Sequence, residues 1–324
     1  MAGIVTFDDK ALSLAADILL RGGLVAIPTE TVYGLAADAT HGEGVAGIFA
    51  AKGRPQFNPL IAHVADIAMA ERYVTFDAIS RKLVEKFWPG PLTIVLALKE
   101  QADVTPPIHP LVTAGLQTLA LRMPQGRVRD VIRALDHPVA APSANTSGRI
   151  SPTSAKAVHD DLGEKIDLIL DAGPCDVGVE STIVKVEGDT VHLLRPGGLA
   201  AEEIEDFLGQ KLIRAAHDAA IQAPGMMQSH YAPDAAVRLD VDHVAPGEAL
   251  LAFGPHRVSG SENAKAVLNL SESGNLREAA SNLFDFLRRL DAYGCASIAV
   301  EPVPHQGLGE AINDRLKRAA APRN

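Results

Sequence analysis

Cysteine is almost missing from this sequence. The 324 residues contain two, Cys175 and Cys295, far apart, with no CxxC and no histidine pair nearby. That spacing argues against a zinc site and a redox dithiol, and leaves two reduced, mostly buried thiols as the expectation. Long hydrophobic runs are missing too: apolar stretches such as residues 24–28 and 94–98 are far too short to cross a bilayer. The opening MAGIVTFDDK has neither a basic nor an apolar leader region, so no signal peptide is expected and the chain reads as soluble and cytoplasmic, with no membrane contact. Positive charge is in deficit, with 30 Lys and Arg against 40 Asp and Glu and a net charge of −10. A surface coated all over by nucleic acid is thereby disfavoured, and a local basic site stays open. Standard chemical signatures are absent as well: no GxxxxGK[ST] loop, no GxGxxG after a strand, no HExxH and no GxSxG. Nor is there an internal repeat at a solenoid period.

What the chain does have is apolar material to bury. At 47% hydrophobic and 22% charged it is globular, and its length suits about two domains. Residues 8–23, DDKALSLAADILLRGG, set apolar side chains at helical spacing between an acidic start and a Gly-Gly stop. The short strand LVAIP follows and runs into TETVYGLAADAT, placing Thr29, Glu30 and Thr31 where strand gives way to loop, a common position for binding residues. The alternation continues with PLIAHVAD, LTIVLAL, TLALRMP, PVAA and IDLILDAG as strands. AISRKLVEKFW, GRVRDVIRAL, SAKAVHDDLG and AAEEIEDFLG read as helices, and STIVKVEGDTVHLLRPGG as a hairpin. Hairpin neighbours among alternating helices and strands predict a mixed α/β sheet instead of a purely parallel one. From Ala219 the pattern lapses into AAIQAPGMMQSHYAPDAA, which has no amphipathic period and reads as a linker. Beyond it EALLAFGP, AKAVLNLS, a helix over residues 275–293, CASIAVEPVP and a helix over residues 309–320 make a second, smaller α/β unit.

Polar chemistry concentrates at the ends of the apolar segments. In KGRPQFNPLIAHV, Lys52 and Arg54 stand one residue apart on what reads as an extended segment exposed to a cleft. Alternate side chains there face the same way, so a planar fork and a point charge meet one polyphosphate; a solvated turn would have the same composition. PSANTSGRISPTS follows an apolar strand with hydroxyls, an amide and Arg149, donors suited to phosphate or ribose, or to an ordinary helix cap. GVESTIVKV puts Glu180, Ser181 and Thr182 at a strand start, while Arg122 and Arg195 end strands in LALRMP and LLRPGG. One such arginine is often only snorkelling. Several from separate strand ends can converge on one cleft, and convergence is what an active site requires. His63 reads as a half-buried strand histidine, and WPGPLT as rigid turns with an aromatic anchor. The residues by themselves point to an anion-binding α/β protein and stop short of a reaction.

In this order, PTETVYGL, KGRPQFNPL, WPGPLT, RMP, PSAN, SPT, GVEST, LLRPG and PGMMQSHYAP closely resemble the YrdC/Sua5 family of L-threonylcarbamoyladenylate synthases. The first eight span about residues 28–197, and the linker with the C-terminal unit marks the longer Sua5-type architecture. The resemblance implies an α/β fold: a YrdC-like mixed twisted sheet with helices over residues 1–210, a linker over 211–236, and a smaller Rossmann-like α/β domain over 237–324. It implies that L-threonine, bicarbonate and Mg2+-bound ATP give threonylcarbamoyl-AMP and pyrophosphate. The adenylate then feeds the downstream tRNA threonylcarbamoyltransferase machinery that makes t6A at adenosine 37. Lys52 and Arg54 match the family's catalytic cation pair on the ATP phosphates. Asn58, Thr118, Ser143, Ser151, Arg195 and Tyr231 match ATP-binding positions, with Asn145 nearby. Thr31, His63, Arg122, Ser181 and the backbone of Ala141 match L-threonine-binding positions. No covalent enzyme intermediate is needed, since the protein has only to position three reactants and neutralise phosphate charge. A free carbamate decomposes in water, so the linker around His230 and Tyr231 is expected to fold over the cleft as a lid. The linker departs from the family in carrying Met227 and Ser229 where basic residues are usual.

Two other readings are open at this stage. Short YrdC proteins suggest a double-stranded RNA-binding or ribosome-maturation factor, for which the acidic balance leaves at most weak RNA binding. Carbamoyl transfer, as in larger hydrogenase-maturation proteins with a related domain, predicts zinc-finger or acylphosphatase-like segments that this sequence lacks.

Overall fold

The computed structural model describes residues 2–214, 223 and 229–322. Local signals start its elements where they are strongest. The side chain of Asp8 accepts a hydrogen bond from the Ala11 amide at 2.8 Å, capping the helix Asp9–Leu20, which buries Ala15 and Leu19. The loop after the strand Val25–Ile27 returns at once as Gly34–Asp38, an antiparallel neighbour, so TETVY is the connection of a hairpin.

Among the described residues the larger sheet has twelve strands and is mixed, as expected. From one edge the order is Gly3–Thr6, Leu168–Asp171, Val25–Ile27, Gly34–Asp38, Val139–Ala140, Ile61–His63, Thr118–Arg122, Leu92–Leu98, Thr182–Glu187, Thr190–Arg195 and Ile213–Arg214. Val74–Thr75 also pairs with Leu92–Leu98. Ile61–His63 runs parallel to Thr118–Arg122, and Leu92–Leu98 parallel to Thr182–Glu187, among antiparallel pairs. Thr182–Glu187 and Thr190–Arg195 form the expected hairpin, turning at Gly188, whose φ of +61° suits glycine.

One stretch differs from its sequence reading. Lys52 is not on an extended segment: it is the last residue of the helix Gly42–Lys52, and Gly53 ends that helix in the left-handed conformation at φ +60°. Lys52 and Arg54 therefore leave a helix end and a turn, so strand alternation does not relate them.

The second sheet is wholly parallel, ordered Ala236–Arg238, Ser297–Val300, Ala249–Ala252, Val267–Asn269. The helices Leu276–Asp291 and Leu308–Ala320 pack on it. The two units share a core, because Val32, Ile150 and Val179 join Phe284 and Leu287 in one apolar cluster. Gly178 lets them approach: at φ +77° a Cβ there would meet the Ala280 carbonyl oxygen at 2.4 Å. Both cysteines are free and buried. No helix among the described residues is long and apolar enough to cross a membrane.

Candidate active site

Register builds one end of the site. His63 pairs with Arg122, and Arg122 with Thr93 on the next strand, so the three form a row across the sheet. The Thr93 and Ser181 hydroxyl oxygens lie 2.7 Å apart. Thr31 arrives from the hairpin connection, folded on itself by Thr29, whose Oγ1 donates to the Val32 carbonyl at 2.7 Å and lies 2.9 Å from Thr31 Oγ1. Arg122 donates to Thr31 Oγ1 at 2.8 Å and to the Gly90 carbonyl at 3.2 Å, and makes a buried ion pair with Glu30 at 2.7 Å. Burial, aided by the Arg122 charge, pulls His63 down to about 3, so its ring is neutral near pH 7. Its Nδ1 has no hydrogen-bond partner among the described residues.

Cations gather at the other end. Lys52 Nζ donates to the Ser143 carbonyl at 2.5 Å and to that of Asn145. Arg54 donates to the carbonyls of Asn58 at 3.2 Å and Pro59 at 2.8 Å, and Arg195 to the Ser181 carbonyl at 2.8 Å. All three cations are buried. For Lys52 and Arg54 this corrects the expectation of exposure: carbonyl oxygens of the surrounding turns take the place of water. Burial draws Lys52 well below its ordinary value, with the neighbouring Arg54 charge adding to it, and draws Arg54 down to about 10. Glu180, the carboxylate beside them, is already engaged, accepting from Ser151 Oγ at 2.6 Å and from Arg315 Nε at 2.9 Å. Burial would raise Glu180, yet the charges of Arg315 and Arg195 outweigh it and hold the carboxyl at about 2. Cations kept out of water on neutral partners are stabilised further by an anion that enters among them.

A cavity of about 50 Å³ joins the two ends. Of the residues singled out from sequence, Thr31, His63, Arg122, Ala141 and Ser181 line it together with Arg54, Ser143, Arg195 and Tyr231. Lys52, Asn58, Asn145 and Ser151 stand one layer back, where Lys52 holds the Ser143 loop, Asn58 holds Arg54 and Ser151 holds Glu180. Asn145 is buried and ties its loop through Nδ2 to the Thr146 and Arg149 carbonyls. Thr118 is not brought to the cavity. It sits at the other end of Arg122's strand, about 13 Å away at strand rise, beyond an apolar floor of Ile61, Val95, Ala120, Ile183 and Leu194.

The linker residues that can be placed lie over this surface. Ala223 packs on the apolar floor. His230 and Tyr231 line the cavity, their rings 4.1 Å apart, and Tyr231 rests on Phe284 at 5.4 Å. Burial pulls His230 down to about 3, with the charges of Lys52 and Arg54 adding. Ser229 is half-buried, and Met227 lies outside the described residues. Sequence reasoning gave no role to Thr93, and marked Glu30 and Glu180 only by their place at strand edges. Thr93 left the clearest signal, a lone hydroxyl in the apolar strand LTIVLAL. Among the described residues no three His, Cys, Asp or Glu converge to hold a metal.

Fold and cleft together define a class: an α/β protein whose buried pocket is built for a polyanion beside a small polar ligand. Comparison with known proteins supplies the family. Residues 17–197 match the Sua5/YciO/YrdC family model, described as telomere recombination, and residues 199–321 match the model described as threonylcarbamoyl-AMP synthase, C-terminal domain. The chain belongs to the Sua5/YciO/YrdC family. The threonylcarbamoyl-AMP synthase of Pyrococcus abyssi is 40% identical, over 97% of this chain and 95% of that protein. The Bacillus subtilis enzyme of the same name is 38% identical, over 98% and 94%. A crystal structure of P. abyssi Sua5 complexed with L-threonine superposes with a TM-score of 0.87 at 38% identity, covering 99% of this chain and 97% of that one.

Proposed function

We propose that this chain is an L-threonylcarbamoyladenylate synthase, joining L-threonine, bicarbonate and ATP into threonylcarbamoyl-AMP with release of pyrophosphate and of the water expelled when the threonine amine and bicarbonate form the carbamate. The observation that carries the reading is that a hydroxyl-rich end and a cationic end open on one buried cavity, because the reaction joins an amino-acid carbamate to a phosphate. Arg122, Thr31 and Ser181 offer donors to the polar groups of threonine, and neutral His63 offers a ring nitrogen that leaves the amine's charge unopposed. Arg54 and Arg195, with Lys52 behind them, neutralise the triphosphate and the charge that grows on the departing pyrophosphate. A carbamate oxygen bonds to the α-phosphorus while the bond from that phosphorus to the bridging oxygen breaks. Mg2+ enters as the counter-ion of ATP, on phosphate oxygens.

The apolar floor of Ile61, Val95, Ala120, Ile183 and Leu194 offers a purine base an apolar face on the Thr118 side of the cavity. Ala223 packs on it, and His230 and Tyr231, which line the cavity, form the lid that keeps water from the carbamate. We place the catalytic domain in residues 1–210, the linker in 211–236 and the C-terminal domain in 237–324. The product is destined for the tRNA threonylcarbamoylation machinery. Incubation with isotopically labelled bicarbonate tests the reading: label must appear in an adenylate only when threonine and ATP are both present. No labelled adenylate, together with salt-sensitive binding of double-stranded RNA, would favour the RNA-binding reading instead.

A further inference from the structure

An arginine on an amphipathic helix near a C-terminus is ordinarily solvated, yet Arg315 is completely buried. The helix Leu308–Ala320 delivers it from the second unit to a place behind the cavity wall, against Glu180 and Tyr231. Its Nε donates to Glu180 Oε2 at 2.9 Å across 135 positions of sequence. Its Nη1 donates to the Pro196 carbonyl at 2.9 Å and to Asp314 Oδ2 at 2.7 Å. The guanidinium lies over the Tyr231 ring, 5.3 Å from its centre. One turn further along the same helix, the Arg318 carbonyl accepts from the His230 amide at 3.2 Å.

A single cation thus touches three segments of the cleft: GVEST through Glu180, the LLRPG turn through Pro196, and the linker through Tyr231. Glu180 and Tyr231 line the cavity, and Pro196 follows Arg195, which also does. Through Glu180 the contact extends to Ser151. A charge so deeply buried survives only with matched partners, and the planar fork of arginine supplies that match where an ammonium would not.

We infer that Arg315 is a positioning residue of the active site, contributed by the C-terminal unit, which locks Glu180, the Pro196 turn and the Tyr231 ring into one arrangement and so seats His230 and Tyr231 over the cavity. It touches no substrate. Its effect on turnover rests on the proposed synthase reading; its seating of Tyr231 does not.

Two variants and two readouts test this. Arg315→Lys keeps the charge and loses the fork. Glu180→Gln with Arg315→Met removes both charges, so that neither is stranded if the single variant folds poorly. The first readout is nitration of the ligand-free protein by tetranitromethane, resolved by residue in a mass spectrometer. Exposed Tyr293 is the positive reference, and buried Tyr33 and Tyr73 report general unfolding. In both variants Tyr231 nitration should rise by roughly tenfold while Tyr33 and Tyr73 stay protected. The second readout is pyrophosphate released per threonylcarbamoyl-AMP formed, a ratio indifferent to the fraction of protein folded. It should rise by about threefold or more in both variants as the lid leaks. Tyr231 remaining as protected as Tyr33 would overturn the inference, and so would an unchanged ratio. A wild-type protein that releases no pyrophosphate at all rejects the proposed function, and the nitration pattern then decides the role of Arg315.

Discussion

Arg122 reaches across 91 positions of sequence to donate to Thr31 Oγ1 at 2.8 Å, while its other terminal nitrogen lies 2.7 Å from Glu30. The pair is buried, with side chains 4% and 7% exposed, so the fold and the proposed threonine contact rest on one arginine. Arg122→Gln should cut threonine-dependent turnover by about 100-fold or more. It should also cost about 3–5 kcal/mol of stability, because Glu30 is left without its counter-charge. Steady-state kinetics and a urea titration check the two effects separately. Wild-type kinetics in this variant would detach Arg122 from the threonine site.

Lys52 should be equally unforgiving for a different reason. Its ammonium holds the Ser143 and Asn145 carbonyls, so Lys52→Met takes this donor from the Asn145 carbonyl and leaves the Ser143 carbonyl only the Asn145 amide, besides removing the proposed phosphate cation. Each lost partner costs about 1–3 kcal/mol, and adenylate formation should fall by about two orders of magnitude or more. Arg54→Ala should lose activity on the same scale. Near-normal turnover in either variant would remove the phosphate role from this segment.

Acid should weaken the fold well before the carboxylates titrate. His63 and His230 are held at about 3 in the folded chain, mainly by burial, against an ordinary 6.5. Both are neutral when folded, and both take up a proton when unfolded below about pH 6.5. Their contribution is therefore intact above pH 6.5 and is lost as pH falls from there toward 3, by about 1.4 kcal/mol per pH unit for each histidine. Glu180, held at about 2, joins only below its ordinary 4.5. Urea midpoints at pH 7.5 and pH 5.5 measure the loss, and His230→Gln should reduce it. Equal pH dependence in that variant and the wild type would show that His230 is not buried neutral.

Tyr231 takes a backbone φ of +62°, unusual for a bulky residue, and its ring is completely enclosed by its neighbours. Tyr231→Ala should raise ATP hydrolysis without threonine by roughly severalfold and lower coupled turnover by about tenfold. If both rates match the wild type, the linker is not a lid.

What the sequence made legible follows the physics of each segment. LTIVLAL and the VEGDTV hairpin announce strands through β-branched residues and a glycine turn, and the structure places strands there. GEGVAGIFAAK conceals a helix: three glycines lower its propensity, and it buries Val45, Ile48, Phe49, Ala51 and Lys52 with no one-sided stripe. The pattern around it therefore makes one extended segment of Lys52 and Arg54, where the chain has a helix end and a turn. Motif residues at strand ends were readable because strand ends collect at one edge of an α/β sheet. Arg315 and its pairing with Glu180 were not, since no local pattern marks an ion pair between residues 135 positions apart.

The most direct measurement is pyrophosphate release from Mg-ATP, with L-threonine and bicarbonate omitted in turn. The proposed chemistry predicts release only when both are present. Release that continues at full rate without threonine would leave a nucleotide site and contradict the synthase.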